Sequence, residues 1–254
     1  MGYRHGSFVW LEHLSHDGPR AQRFYEALFG WRTDTMAIGG NPPLPLIRAN
    51  GHCIGSYRDV ADVAPVQWMP YMSVADVDMS FHDALAAGAT SLMPPNDYGQ
   101  AGCGAMLAGP DDARFVIWTG ARGDPPDAAQ YALGDWCWTE LVTLDEPRSL
   151  AFFERVFGFR IECREPDGGG ARYQVLIQNG RPRAGLRSAA APQSVSFWLP
   201  YVQVADCEAA SEQALALGAR RVGSTREVPG VGRSSLLIDP LGALFATVCT
   251  DPVE

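Results

Sequence analysis

The second half of this 254-residue chain repeats its first half, and that duplication constrains the fold more than any other feature. Residues 10–31 (WLEHLSHDGPRAQRFYEALFGW) align with residues 138–159 (WTELVTLDEPRSLAFFERVFGF) at 9 of 22 positions. Residues 69–89 (MPYMSVADVDMSFHDALAAGA) align with residues 199–219 (LPYVQVADCEAASEQALALGA) at 10 of 21 positions. The two offsets, 128 and 130, differ by only two residues, so the copies stay in register along most of their length. A repeat that long is a structural unit, since each copy must fold and bury its own apolar face.

Each half divides again. Four segments open with a short strand running into an aspartate, at Asp17, Asp76, Asp145 and Asp206, and a helix is expected after each. In the first, Ala21, Phe24, Tyr25, Leu28 and Phe29 recur at helical spacing and give one apolar face. Gly30, Gly88, Gly158 and Gly218 stand where a helix closes on a left-handed residue. Short apolar runs such as Tyr173–Gln178 and Ser234–Asp239, broken by Gly, Pro and Asn, then read as strands with tight turns. Gly168, Gly169 and Gly170 have no lysine and no following helix, so they read as a hairpin tip, not a phosphate cradle. The unit is βαβββ, four times over, in an α+β chain. Domains are expected at 1–120 and 134–254 (modules near 7–58, 68–119, 136–187 and 198–250), joined by a proline-containing linker at 121–133.

Composition removes several chemistries. All 20 basic residues are arginine, and a chain without lysine cannot form a lysine Schiff base or build a lysine-bearing phosphate loop. A net charge of −9 with no basic run argues against a nucleic-acid partner. No stretch has the length of apolar sequence that a membrane helix or signal peptide requires. Six scattered cysteines without a CxxC pair argue against structural zinc and point to a reducing, cytoplasmic setting.

Four such modules paired two by two resemble the vicinal oxygen chelate superfamily, which includes glyoxalases, extradiol dioxygenases and bleomycin-resistance proteins. The resemblance rests on the FYEALFGW stretch at 24–31, its counterpart at 152–159, and the turns at 109–115 (GPDDARF) and 239–245 (DPLGALF). The Trp-x-Glu pairs and the two Pro-Tyr pairs look more narrowly like tandem bacterial glyoxalase-like proteins. The resemblance implies two U-shaped sheets, each formed by two modules around a cleft, with the helices outside.

It also implies where metal ligands would stand: seven residues before each strand-end aspartate, and on the last strand of each module. Those positions are Trp10, Met69, Trp138 and Leu199, with Gly55, Val116, Gly185 and Ala246. A divalent ion needs several oxygen, nitrogen or thiolate donors about 2 Å away, and these side chains supply none. No metal and no cofactor is therefore expected. His13, whose counterpart Leu141 is apolar, is expected to be buried and hydrogen-bonded.

Strand alternation puts Trp10 and Glu12 on one face, with Trp138 and Glu140 equivalent to them. Met69, Tyr71 and Ser73 are expected to face the first pair, and Leu199, Tyr201 and Gln203 the second, with Trp118 beside the first cleft. Arg233, on a loop over the second cleft and aligned with Gly104, is a candidate contact for an anionic ligand. Burial beside an indole disfavours a carboxylate's charged form, which makes Glu12 and Glu140 candidate acid–base groups with Tyr71 and Tyr201 as proton donors. The competing reading pairs the carboxylates with arginines, Arg183 or Arg187 in the case of Glu140, and gives them a stiffening role.

The sequence thus predicts a metal-independent protein that binds or processes an apolar or aromatic small molecule in one or both clefts. A metal-free lyase, isomerase or cyclase and a metal-dependent glyoxalase or dioxygenase are the alternatives. Its partner is a small-molecule ligand, with neither nucleic acid nor membrane, and either a monomer or a homodimer would serve.

Overall fold

The computed structural model describes residues 2–37, 43–61, 65–128, 130–164, 172–190, 195–228 and 231–250. The glycine run at 168–170 lies outside the described residues. The fold is α+β, with four helices and two large sheets among the described residues. The first module runs β1 (Phe8–Ser15), α1 (Gly18–Phe29), β2 (Arg32–Met36), β3 (Leu44–Ala49) and β4 (His52–Asp59). The second runs β5 (Gln67–Ser73), α2 (Val77–Ala86), β6 (Thr90–Asp97), β7 (Gly102–Ala108) and β8 (Arg114–Gly120). The third runs β9 (Trp136–Thr143), α3 (Glu146–Phe157), β10 (Arg160–Arg164), β11 (Tyr173–Gln178) and β12 (Arg181–Ser188). The fourth runs β13 (Phe197–Gln203), α4 (Cys207–Ala216), β14 (Arg220–Arg221), β15 (Arg226–Val228), β16 (Gly232–Ile238) and β17 (Leu244–Thr250). The βαβββ unit is present four times, with one added short strand in the last.

Strand order repeats with the sequence. One sheet runs β2-β3-β4-β1-β5-β8-β7-β6 and the other β10-β11-β12-β9-β13-β17-β16-β14, with β15 on β16. In every module the first strand pairs in parallel with the last, as at Glu12–Ser56, Tyr71–Val116, Glu140–Gly185 and Tyr201–Ala246. A parallel pair needs a crossover, and the helix that follows each first strand supplies it.

The helices start where side-chain oxygens can satisfy their first free N–H groups. Asp17 accepts from Arg20 N, Asp76 from Met79 N, Asp145 from Arg148 N, and Asp206 from both Glu208 N and Ala209 N. Pro19 and Pro147 sit in the first turn of α1 and α3, where a missing N–H costs nothing. Gly30 and Gly158 close those helices in the left-handed conformation, at φ 71° and 66°. Gly88 and Gly218 take the same role one residue beyond the cap.

Two compact units arise from this chain. One comprises Met1–Trp10, Met69–Pro126 and Thr139–Trp198; the other comprises Leu11–Trp68, Asp127–Trp138 and Leu199–Glu254. The sheets follow the halves of the chain, whereas each packing unit draws on both halves. The first unit buries Met72, Phe81, Leu107, Phe115 and Ile117 with Leu141, Phe152, Phe153, Phe157 and Trp198. The second buries Leu11, Phe24, Tyr25, Trp31 and Trp68 with Val202, Leu237 and Phe245. Burial of each such large side chain contributes about 1.5–3 kcal/mol. The helix faces are thus used up by the cores, which leaves the sheet face turned away from the helices, the distal face, free of core packing. No helix among the described residues is long and apolar enough to cross a membrane.

Candidate functional site

Core membership fixes which strand residues look away from the helices. Leu11, Met72, Leu141 and Val202 belong to the cores, so their neighbours Glu12, Tyr71, Glu140 and Tyr201 lie on the distal face. The same alternation puts Trp10, Met69, Trp138 and Leu199 there as well. Trp10, Tyr71, Trp118, Trp138 and Tyr201 are half-buried, while Met69 and Leu199 are buried.

Both expected carboxylates are met by arginine. Glu12 is 1% exposed, takes a hydrogen bond of 3.0 Å from the Ser56 hydroxyl, and lies 3.0 Å from Arg58 Nε. Glu140 is 4% exposed and accepts from Arg187 Nε at 2.6 Å. In each case the carboxylate is on the first strand of its module and the guanidinium two residues past the register partner on the last strand. Arg187 was expected for Glu140; Arg58, its counterpart in the duplication, is the residue that sequence reading missed. The carboxylate and guanidinium together satisfy charges that burial would otherwise penalise heavily.

The register also corrects one metal-ligand position. Glu12 pairs with Ser56 and Glu140 with Gly185, so the counterpart of Gly185 is Ser56, not Gly55. Gly55 faces the helix side, where an added Cβ would fall 2.3 Å from the Leu11 carbonyl oxygen.

The distal face of the second module is aromatic. The Trp118 ring lies across β7 so closely that a Cβ on Gly104 would sit 2.6 Å from its Cε3, and one on Gly102 2.8 Å from its Cζ2. The two glycines provide the floor on which the indole lies flat. Tyr71 meets Trp118 edge-on, with centroids 5.7 Å apart, and Tyr98 lies 5.8 Å away, tilted by 37°. The Tyr98 hydroxyl reaches Met93 Sδ at 3.5 Å, and Met93 pairs with Met106, register partner of Val116, on the same face. Ser73 takes no part in this surface: it is fully buried and donates to Asp124 at 2.5 Å, which also holds Arg4 N.

The fourth module differs at each of these points. By register Val248 replaces Trp118 and Ser234 replaces Gly104. Gln203 is buried and its side chain donates to Thr250 at 3.1 Å, tying β13 to β17 as Ser73 ties the first half. Arg233 departs from expectation. It pairs with Cys249 and shares a strand face with Leu237 of the core, so it stands on the helix side; its counterpart is Cys103, and Gly104 corresponds to Ser234.

None of the expected ligand positions fits a metal ion. With Ser56 in place of Gly55, the eight distal positions carry two indoles, a thioether, hydrocarbon groups, one hydroxyl and one bare glycine. Among the described residues no group of three or more His, Cys, Asp and Glu side chains could hold an ion. The two carboxylates on these faces are engaged with guanidinium groups. The side chains at these positions lack the donor set a divalent cation needs.

Buried polar chemistry concentrates instead on the helix side of the second unit. His13 Nε2 lies 2.8 Å from Asp239 Oδ2, the Tyr25 hydroxyl donates to the same oxygen at 3.0 Å, and Trp68 Nε1 donates to Tyr25 at 2.9 Å. The other carboxylate oxygen of Asp239 accepts N–H groups of Leu241, Gly242 and Ala243 at 2.8–2.9 Å. Burial alone would raise the Asp239 carboxyl, but His13 and the backbone donors outweigh it and hold the group below its ordinary range. Burial, reinforced by the Asp239 charge, pushes the Tyr25 hydroxyl well above its ordinary value. This network is sealed from solvent, with His13 and Tyr25 at 0% exposure, and it is a structural brace. The expectation of a buried, hydrogen-bonded His13 is met.

Two parallel first-to-last strand pairs per sheet, repeated in four βαβββ modules, give this chain a fold it shares with solved glyoxalase and dioxygenase structures. Residues 139–248 match the family model of the glyoxalase-like domain. The chain is 29% identical over 257 residues to CFP32, named as a candidate glyoxylase, of Mycobacterium bovis and Mycobacterium tuberculosis, covering 99% of this chain and 98% of theirs. Among solved structures it resembles the Mn(II)-bound glyoxalase of Novosphingobium aromaticivorans with a TM-score of 0.66 at 15% identity, over 97% of this chain and 82% of that one. It also resembles the 2,2',3-trihydroxybiphenyl 1,2-dioxygenase of Sphingomonas wittichii with a TM-score of 0.65 at 13% identity, over 98% and 91%. At such identities the solved structures share the fold.

Proposed function

We propose that this chain is a metal-independent small-molecule protein of the glyoxalase-like type, taking an apolar or aromatic ligand on the aromatic distal face of its second module. The observation that carries the reading is Trp118, half-buried and laid flat over Gly102 and Gly104, with Tyr71 and Tyr98 at its edges. Such a ring presents a flat apolar surface, and offset stacking of a second ring on it is favourable by about 0.5–1.5 kcal/mol beyond area burial. Trp10 and Met69 extend the apolar lining. Trp138, Leu199 and Tyr201 are the corresponding, less aromatic surface of the other sheet.

Metal independence is supported by the residue types at the eight positions, since nothing there has the donor chemistry an ion needs. The fold is shared with a Mn(II)-bound glyoxalase and with a dioxygenase, and the positions where the resemblance would place ligands carry no usable donors here. The ion pairs give Glu12 and Glu140 a framing role, bracing the first strand of a module against its last. An acid–base role for them with Tyr71 and Tyr201 is the weaker reading, because each carboxylate is already committed to a guanidinium.

The test uses 2-naphthol as a planar probe, titrated into the full chain and followed by tryptophan fluorescence. Saturable quenching is expected, and Trp118→Ala should weaken it about tenfold, the loss of one stacked ring plus its buried area. Circular dichroism of the variant should be unchanged, because the ring rests on the sheet and not in either core. Equal affinity in Trp118→Ala and the wild type would refute the site.

A further inference from the structure

A second chemically distinctive cluster sits on the helix side of the fourth module. Cys207 is the first residue of α4, directly after the capping Asp206, and Cys249 is the penultimate residue of β17. Both belong to the core of the second unit, at 0% and 7% exposure, and both are free thiols. Each thiol lies near enough to the other to shift its ionisation. The Cys207 thiol also donates to the Arg233 carbonyl at 3.1 Å. Arg233 is the register partner of Cys249 on β16, on the same strand face, and its charge acts on the Cys249 sulfur. The arginine itself is exposed.

We propose that Cys207 and Cys249 form a peroxide-oxidisable dithiol, with Cys249 the attacking sulfur, Cys207 the resolving one and Arg233 the cation that activates the first. Two buried thiols on different elements, gathered at one arginine residue, are the arrangement such chemistry requires. The titration behaviour agrees. Burial alone would raise Cys249, but bonds from Cys207 and the charge of Arg233 hold it below the usual thiol range. Burial, with the neighbouring Cys249, pushes Cys207 up to about 11. Cys249, paired across the strands with Arg233, is thus the nucleophile, and Cys207 resolves.

The reaction balances with hydrogen peroxide as the named oxidant. The Cys249 thiolate attacks one peroxide oxygen, the S–O bond forms as the O–O bond breaks, and hydroxide leaves to become water. Sulfur is oxidised by two electrons and peroxide is reduced. The Cys207 sulfur then attacks the Cys249 sulfur, the S–S bond forms, the S–O bond breaks, and the departing hydroxide takes the Cys207 proton as a second water. The product staples the first turn of α4 to the last strand of the sheet.

Intact mass and non-reducing peptide mapping of the full chain, treated with stoichiometric hydrogen peroxide, test this. A loss of 2 Da (two hydrogen atoms) and a linked peptide pair carrying Cys207 and Cys249 are expected, reversible by thiol. In Cys207→Ala the reaction should stop at a dimedone-trapped sulfenic acid on Cys249. Arg233→Gln should slow the wild-type reaction at neutral pH by several-fold and shift its pH profile upward. A wild-type map in which Cys207 and Cys249 remain reduced while exposed Cys163 is oxidised would overturn the proposal, as would over-oxidised Cys249 without a linked peptide. The outcome is independent of ligand binding at Trp118.

Discussion

Asp239→Ala should destabilise the protein by about 4 kcal/mol or more, measured as the change in urea-unfolding free energy. The carboxylate serves five donors: His13, the Tyr25 hydroxyl and the N–H groups of Leu241, Gly242 and Ala243. Each buried polar group left without a partner costs roughly 1–3 kcal/mol, and water has no route to replace the lost oxygen atoms. The pH dependence has a definite sign. The folded-state value of Asp239 is depressed, so its contribution is fully present above the unfolded carboxylate pKa of about 3.9 and is lost as pH falls through the folded value. Asp239→Asn should remove that part of the acid limb of the stability curve. A loss below about 1 kcal/mol in Asp239→Ala would show that the network is not a brace.

The second large effect concerns the ion pair of the third module. Arg187→Leu should cost about 2–3 kcal/mol, because Glu140 keeps its burial and loses its guanidinium. Arg187 is 30% exposed on its side chain, which places the cost below that of a fully enclosed pair. The double variant Glu140→Leu/Arg187→Leu should recover to within about 1 kcal/mol of the wild type, since an apolar pair removes the stranded charge. A double-variant cycle separates the two readings of the carboxylate. If the double variant were as unstable as the single one, the pair would not be what frames these strands.

Much of this was legible in the sequence because duplication and helical periodicity are local signals. Asp17, Asp76, Asp145 and Asp206 each cap a helix, and the βαβββ order follows from the spacing between them. What was not legible depends on register. Counting residues along the chain chose Gly55, whereas the strand pairing sets Ser56 opposite Glu12. The same kind of one-residue error placed Arg233 on the ligand face, although its partner Cys249 points into a core. A one-residue slip reverses the face of every side chain on a strand. Burial of Ser73 and Gln203 was likewise invisible, because each is held by a residue distant in sequence, Asp124 and Thr250. Arg58 could have been found: it stands 129 residues before Arg187, in step with Glu12 and Glu140.

The composition of packing units was hidden for a related reason. Hydrophobic periodicity says that a helix buries one face, not which sheet it buries it against. Phe24, Tyr25 and Leu28 of α1 pack with Phe245 and Leu237 of the last module, and Phe152 and Phe153 of α3 pack with Phe115 and Ile117 of the second. Apolar contact carries no label that names its partner in sequence.

Elemental analysis of the protein, purified after growth with manganese, iron, zinc and nickel and without chelator, tests the donor argument most directly. The residues on the distal faces predict far less than one ion per chain and no saturable binding when each metal is added back. One tightly held ion per chain, displaced on mutating Glu12 or Glu140, would contradict it.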